Sequence, residues 1–109
     1  MDKNKRERLE AHGWKVGSAA EFLGLTPEEE AYVELRLKLS QAVRELRRSR
    51  HWTQVQLAER LQSSQSRIAK VEAADESVSL DLLIRSFFAL GATSQDLAYV
   101  ISSQPVSAT

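Results

Sequence analysis

Residues 53–73 read TQVQLAERLQSSQSRIAKVEA, and the spacing within them decides the fold. Leu57 and Leu61 are four apart and Ile68 and Val71 three apart, the intervals at which an α-helix returns to one face. A polar turn separates the two pairs. The segment therefore predicts two short helices that cross, with Leu57, Leu61, Ile68 and Val71 at the crossing and the small Ala58 where the second helix comes close to the first. Gln65, Ser66, Arg67 and Lys70 then fall on the far face of the second helix, the disposition of a helix that reads the DNA major groove.

Start and stop signals extend the pattern in both directions. Thr53 has the spacing of an N-cap with Gln56 at the reciprocal position, and Ser64 caps the reading helix. Upstream, Thr26-Pro27-Glu28-Glu29 opens a long helix: Thr26 as N-cap, Pro27 at the first helical position, Glu29 reaching back, and the carboxylates of Glu28 to Glu30 complementing the helix dipole. Ala31, Leu35, Leu39, Ala42, Val43 and Leu46 recur at helical spacing to about Arg50, while Tyr32, Val33 and Leu37 widen the apolar face beyond one small core. Ser79 opens a helix over LDLLIRSFFAL that Gly91 closes, and Leu82, Leu83, Phe87 and Leu90 are expected against Leu57, Leu61 and Ile68. A last helix covers roughly Ser94 to Ser102. At the front, Ser18 begins a capping-box pattern, SAAE, for a short helix ended by Gly24, and GWKV around Trp14 is a candidate edge strand for a partner. The reading is all-α, with five to six helices: an N-terminal extension over residues 1–34 for partner or dimer contacts, a helix-turn-helix domain over 35–103, and a flexible tail over 104–109.

Composition narrows the class. The 109 residues, 42% hydrophobic, 28% charged and 6% aromatic, suit one helical domain with a small appended element. No apolar run approaches a membrane span. The opening MDKNKRERLEAH is charged with no apolar stretch behind it, so no signal peptide and a cytoplasmic location are expected. With no cysteine, disulfides, thiolate metal sites and thiol chemistry are excluded. His12 and His51 are isolated from other metal-ligand types; His51 suits a phosphate contact or plain exposure better than catalysis. No cofactor, metal or enzymatic role is expected.

The net charge of +0 hides a division along the chain. From Arg36 to Glu72 nine basic residues stand against three acidic ones, a balance of +6 that leaves −6 elsewhere. Such a split suits a polyanion on one face and a basic protein on another. Gln65 and Ser66 are the expected base contacts, since a glutamine amide bonds adenine N6 and N7 together. Arg67 and Lys70 follow, with guanine O6 and N7 as the arginine's target. Phosphate contacts are expected from Thr53, Gln54, Ser64, Arg48 and Arg50.

The words WTQVQLA and SQSRIAKVE resemble the LTQ-x-x-LA and SQS-x-I-x-x-x-E of the Cro/C1-type (XRE) helix-turn-helix regulators. The resemblance implies a lambda-repressor-like DNA-binding domain that binds double-stranded DNA at a palindromic operator as a homodimer. It also implies a structural ion pair between Arg47 and Glu72, with DNA contact by Arg47 secondary. Two departures stand out: Gln62 and Ala74 occupy positions where the family carries glycine in a left-handed backbone, at a cost of about 1 kcal/mol each. Asp75 and Glu76 replace residues that in the family are often basic.

The wider stretch HGWKVGSAAEFLGLTPEEEAYVELRLKLSQAVRELRRSRHWTQ resembles a branch with an extra N-terminal module, related to HigA-like antitoxins that pair with RelE/HigB-type toxins. The two levels of resemblance together run from about His12 to Ile101. On that reading the chain is an autoregulating repressor and antitoxin, and Trp14, Phe22, Leu23, Tyr32 and Val33 cover a small basic toxin. The alternatives are a free-standing repressor whose N-terminal module completes a dimer interface, and a protein–protein adaptor that keeps the helix-turn-helix as a scaffold.

Overall fold

A computed structural model describes residues 23–103. The helix expected from Ser18 except its end at Leu23 and Gly24, the GWKV segment, the tail from 104 and the partner candidates Trp14 and Phe22 lie outside them. The described residues form five helices and no strand: α1 Pro27–Ser49, α2 Gln54–Arg60, α3 Gln65–Glu72, α4 Leu80–Ala89 and α5 Ser94–Ser102.

Each helix begins on a hydroxyl cap. Thr26 Oγ1 accepts from the Glu29 amide at 3.1 Å while Glu29 returns a carboxylate to the Thr26 amide at 2.9 Å. Thr53 and Gln56 repeat the exchange at 3.1 and 2.7 Å, and Ser64 and Ser79 accept from Arg67 and Leu82. The cap of α5 is Thr93, paired with Asp96. These groups satisfy amides that the first helical turn leaves without a carbonyl.

The exits share a second pattern. After α1, α2, α3 and α4, a residue in the left-handed region lets two amides fold back onto the last turn, the Schellman arrangement. The left-handed residues are His51 (φ 61°), Gln62 (φ 53°), Ala74 (φ 55°) and Gly91 (φ 94°). At α3, for example, the Ala74 and Asp75 amides donate to the carbonyls of Val71 and Lys70. Gln62 and Ala74 thus adopt the conformation their glycine-like positions demand, and His51, whose sequence context gave no such expectation, does the same. Gly24, after the helical Leu23, is left-handed as well.

One core joins the elements. Leu39 and Val43 of α1, Leu57 and Ala58 of α2, Ile68 and Val71 of α3, and Leu82, Leu83 and Phe87 of α4 are buried together with Val78 and Leu90. Leu61, Leu46 and Trp52 pack at its edge. Ala58, 2% exposed, has only a methyl to place where α2 meets α3. The charge on α1 is also partly structural: Lys38 Nζ donates to the Ile101 carbonyl at 3.0 Å and pairs with Glu34 at 3.2 Å, so it caps the end of α5. The front half of α1 continues without a break past residue 34, and its Tyr32 is 47% exposed. Among the described residues no helix is long and apolar enough to cross a membrane.

Candidate nucleic-acid interface

The helix α3 is short, and its placement depends on what holds its two ends. At the C-terminal end Glu72 is 5% exposed and Arg47, arriving from α1, 12%. Arg47 Nε donates to Glu72 Oε2 and Nη2 to Oε1 at 2.9 Å, a two-pronged pair, while Nη1 reaches the Trp52 carbonyl at 2.8 Å. The hydrogen bonding to the Glu72 carboxylate raises the Arg47 pKa above the ordinary arginine value. The Arg47 guanidinium is thus charged at any working pH, and the fork geometry fixes α3 against α1.

At the N-terminal end Ser64 Oγ accepts from the Arg67 amide at 3.2 Å and lies 3.2 Å from Ser66 Oγ. Ile68 and Val71 face the core. The remaining face carries Gln65, Ser66, Arg67 and Lys70, all exposed. This is the geometry of a presented edge: apolar residues anchor the inner side, a buried ion pair locks the far end, and polar side chains of mixed donor and acceptor character point outward.

Gln54 stands at the start of α2 as expected, but makes two contacts that sequence reasoning did not foresee. As the first residue of α2 it receives a hydrogen bond from Gln65 Nε2 at 2.8 Å, and its own Nε2 donates to Glu72 Oε1 at 3.2 Å. Gln65 is the first residue of α3, so the link joins the starts of two helices that cross. Nothing in the spacing reports this contact, because it depends on the angle at which α2 and α3 meet.

The other expected phosphate contacts are placed differently from one another. Thr53 uses both its hydroxyl and its amide in the α2 capping box. Arg48 is exposed and lines a groove of about 420 Å³ between α1 and the exit of α3, beside Arg44, Glu45 and Ala73. Arg50 donates from Nε to the Leu90 carbonyl at 3.2 Å and so helps close α4.

Of the nine basic residues counted between Arg36 and Glu72, four hold the fold: Arg36, Lys38, Arg47 and Arg50. Arg44, Arg48, Arg60, Arg67 and Lys70 are exposed and available to a polyanion. Among the partner candidates, Leu23 and Val33 are half-buried and Tyr32 exposed. Among the described residues no group of His, Asp and Glu is arranged to hold a metal ion.

Residues 43–85 match a family model described as helix-turn-helix. The match begins in the second half of α1, takes in α2 and α3 entire and ends within α4, so it covers the elements that build the exposed face of α3. No curated protein and no solved structure matches the chain. The matched segment is thus similar to a helix-turn-helix, and α3 stands in the place of its second helix.

Proposed function

We propose that this protein is a sequence-specific DNA-binding transcriptional regulator that acts as a repressor, with α3 in the major groove. The observation that carries the reading is the outward face of α3, where Gln65, Ser66, Arg67 and Lys70 are exposed on a helix whose inner face and far end are locked. Gln65, Ser66 and Arg67 stand in the first turn of α3 and read base edges; Lys70, one turn on, extends the row. Gln54, Ser64 and Arg48 reach phosphates. One α3 spans a half-site, so a homodimer on a palindromic operator is the economical arrangement, two modest half-sites gaining affinity from their linkage.

The finer proposal is an autoregulating antitoxin. Its support is the front half of α1, whose first turn carries Glu28, Glu29 and Glu30 and where Tyr32 is exposed. That surface, together with residues 1–34 as a whole, suits a small basic protein of the RelE/HigB type, while residues 35–103 form the reading domain.

The test is a gel-shift titration of the full chain on DNA from upstream of its own gene, beside a scrambled duplex of equal length. Each of Gln65→Ala and Arg67→Ala is expected to cost about 1–3 kcal/mol at a specific contact. Selective retardation lost in the double variant supports the regulator. Equal binding to both duplexes at moderate salt overturns it and shifts attention to the front of α1 as a protein-binding surface.

A further inference from the structure

Three side chains in series link the buried ion pair to the first residue of the reading helix, and the order of donors and acceptors along the series is forced. The Glu72 carboxylate can only accept. Gln54 must therefore turn its amide NH₂ toward Glu72, 3.2 Å away, which leaves its carbonyl oxygen facing Gln65. Gln65 in turn must direct its NH₂ at Gln54, at 2.8 Å. What Gln65 has left to offer outward is its carbonyl oxygen and one N–H.

We infer that Glu72, acting through Gln54, is a positioning residue that sets which base Gln65 selects. The inference rests on the proposal that Gln65 reads a base edge. One acceptor and one donor side by side match adenine, whose major-groove edge offers the N6 amino group and the N7 acceptor. Guanine offers two acceptors, O6 and N7, and finds only one donor on Gln65. Arg47 holds Glu72 in place from the other side, so the base preference of an exposed side chain is anchored in a buried charge pair.

The polarity of the series can be reversed. In Glu72→Gln the new amide keeps its oxygen toward Arg47 Nε and turns its NH₂ toward Gln54, and Arg47 Nη2, which shares Oε1 with Gln54 in the wild type, gives up its bond. Gln54 then accepts from residue 72 and donates to Gln65, and Gln65 is left with both N–H groups outward. Two donors suit guanine.

The experiment is selection from a randomised duplex library by the full-length protein, followed by titration on the selected site and its single-base variants. The wild type is expected to prefer adenine over guanine by about tenfold at one base pair per half-site, a preference that Gln65→Ala removes. Glu72→Gln is expected to move that preference toward guanine and leave the other positions unchanged. Gln54→Met keeps the Arg47–Glu72 pair intact and is expected to reduce the adenine preference at least several-fold, so the test survives if Glu72→Gln does not fold. A uniform loss of affinity on all duplexes, or an adenine preference unchanged in both variants, overturns the inference while leaving base reading by Gln65 standing. If the wild type itself selects no sequence, the proposed function fails, and the inference with it.

Discussion

Arg36 donates from Nη2 to the Asp75 carbonyl at 2.7 Å, so the front half of α1 is fastened to the turn by which the chain leaves α3. The same guanidinium sits 5.5 Å from the centre of the Tyr32 ring and bonds its hydroxyl at 3.3 Å. Arg36 is 8% exposed, and its charge is satisfied by these neighbours, not by solvent. The helix carrying the proposed partner surface and the turn behind the reading helix are therefore one mechanical unit.

Removing that link while keeping the packing of the side-chain stem is the informative change. Arg36→Met is expected to lower stability by about 2 kcal/mol, the scale of a charge-assisted hydrogen bond. Amide exchange of Asp75 to Ser77 is expected to accelerate more than that of the α4 core. Denaturant titration and hydrogen exchange read the two effects; equal acceleration everywhere counts against a local tether.

The Arg47–Glu72 pair gives a larger effect. Arg47→Ala leaves a carboxylate that is 5% exposed with Gln54 as its one side-chain donor among the described residues. The expected loss is about 3 kcal/mol, since stranding one partner of a buried pair costs more than the pair contributes. The double variant Arg47→Met/Glu72→Leu is expected to lose less than Arg47→Ala alone. A double loss equal to the sum of the single losses would contradict the coupling.

The left-handed exits respond to glycine in opposite directions. Gln62→Gly and Ala74→Gly are expected to raise stability by about 1 kcal/mol each, because a Cβ disfavours the backbone they already hold. Gly91→Ala is expected to lower it by a similar amount. A Cβ at residue 91 would meet only Arg50 Nη2 at 3.7 Å, so the penalty there is one of backbone and not of space. Thermal melts of the three variants suffice.

Acid should loosen α5 before the rest. The Asp96 pKa is lowered from its ordinary value, first by its hydrogen bond to the Thr93 amide, then by the Thr93 hydroxyl. A lowered folded-state value means that the stabilisation is present above the unfolded-state pKa of about 3.9 and is lost as pH falls through the lower folded value. The Thr93 and Asp96 amides are expected to lose exchange protection below about pH 4, and Asp96→Asn is expected to weaken that dependence. Unchanged pH sensitivity in Asp96→Asn would remove Asp96 from the account.

Much of this architecture is legible in the sequence because it is local. Thr26, Thr53 and Ser64 announce their helices through side chains three residues away, and the Leu57 to Val71 spacing announces the crossing. Gly91 marks an exit by residue type, and Gln62 and Ala74 do so by standing where a resembling family has glycine. What the sequence conceals depends on distant approach. Arg36, Lys38 and Arg50 read as surface charge, yet each ends on a carbonyl about 40 to 60 positions away. The Gln54 link depends on the angle between two helices, and His51 enters the left-handed region because α1 must turn sharply into α2. The last helix starts at Ser94, where its expected range begins, and the cap that the reading does not name is Thr93, with Asp96 in the reciprocal place.

The helix exits also bear on how this chain can change. Alanine and glycine codons differ by a single base, so at residue 74 a more relaxed backbone lies one point mutation away, whereas His51 and Gln62 need more than one. None of these residues contributes a side chain to the core or to the outward face of α3. Heat resistance is thus a property this protein can gain without renegotiating its recognition surface. A random-mutagenesis screen for survival at raised temperature is expected to return Ala74→Gly early, with DNA selectivity intact.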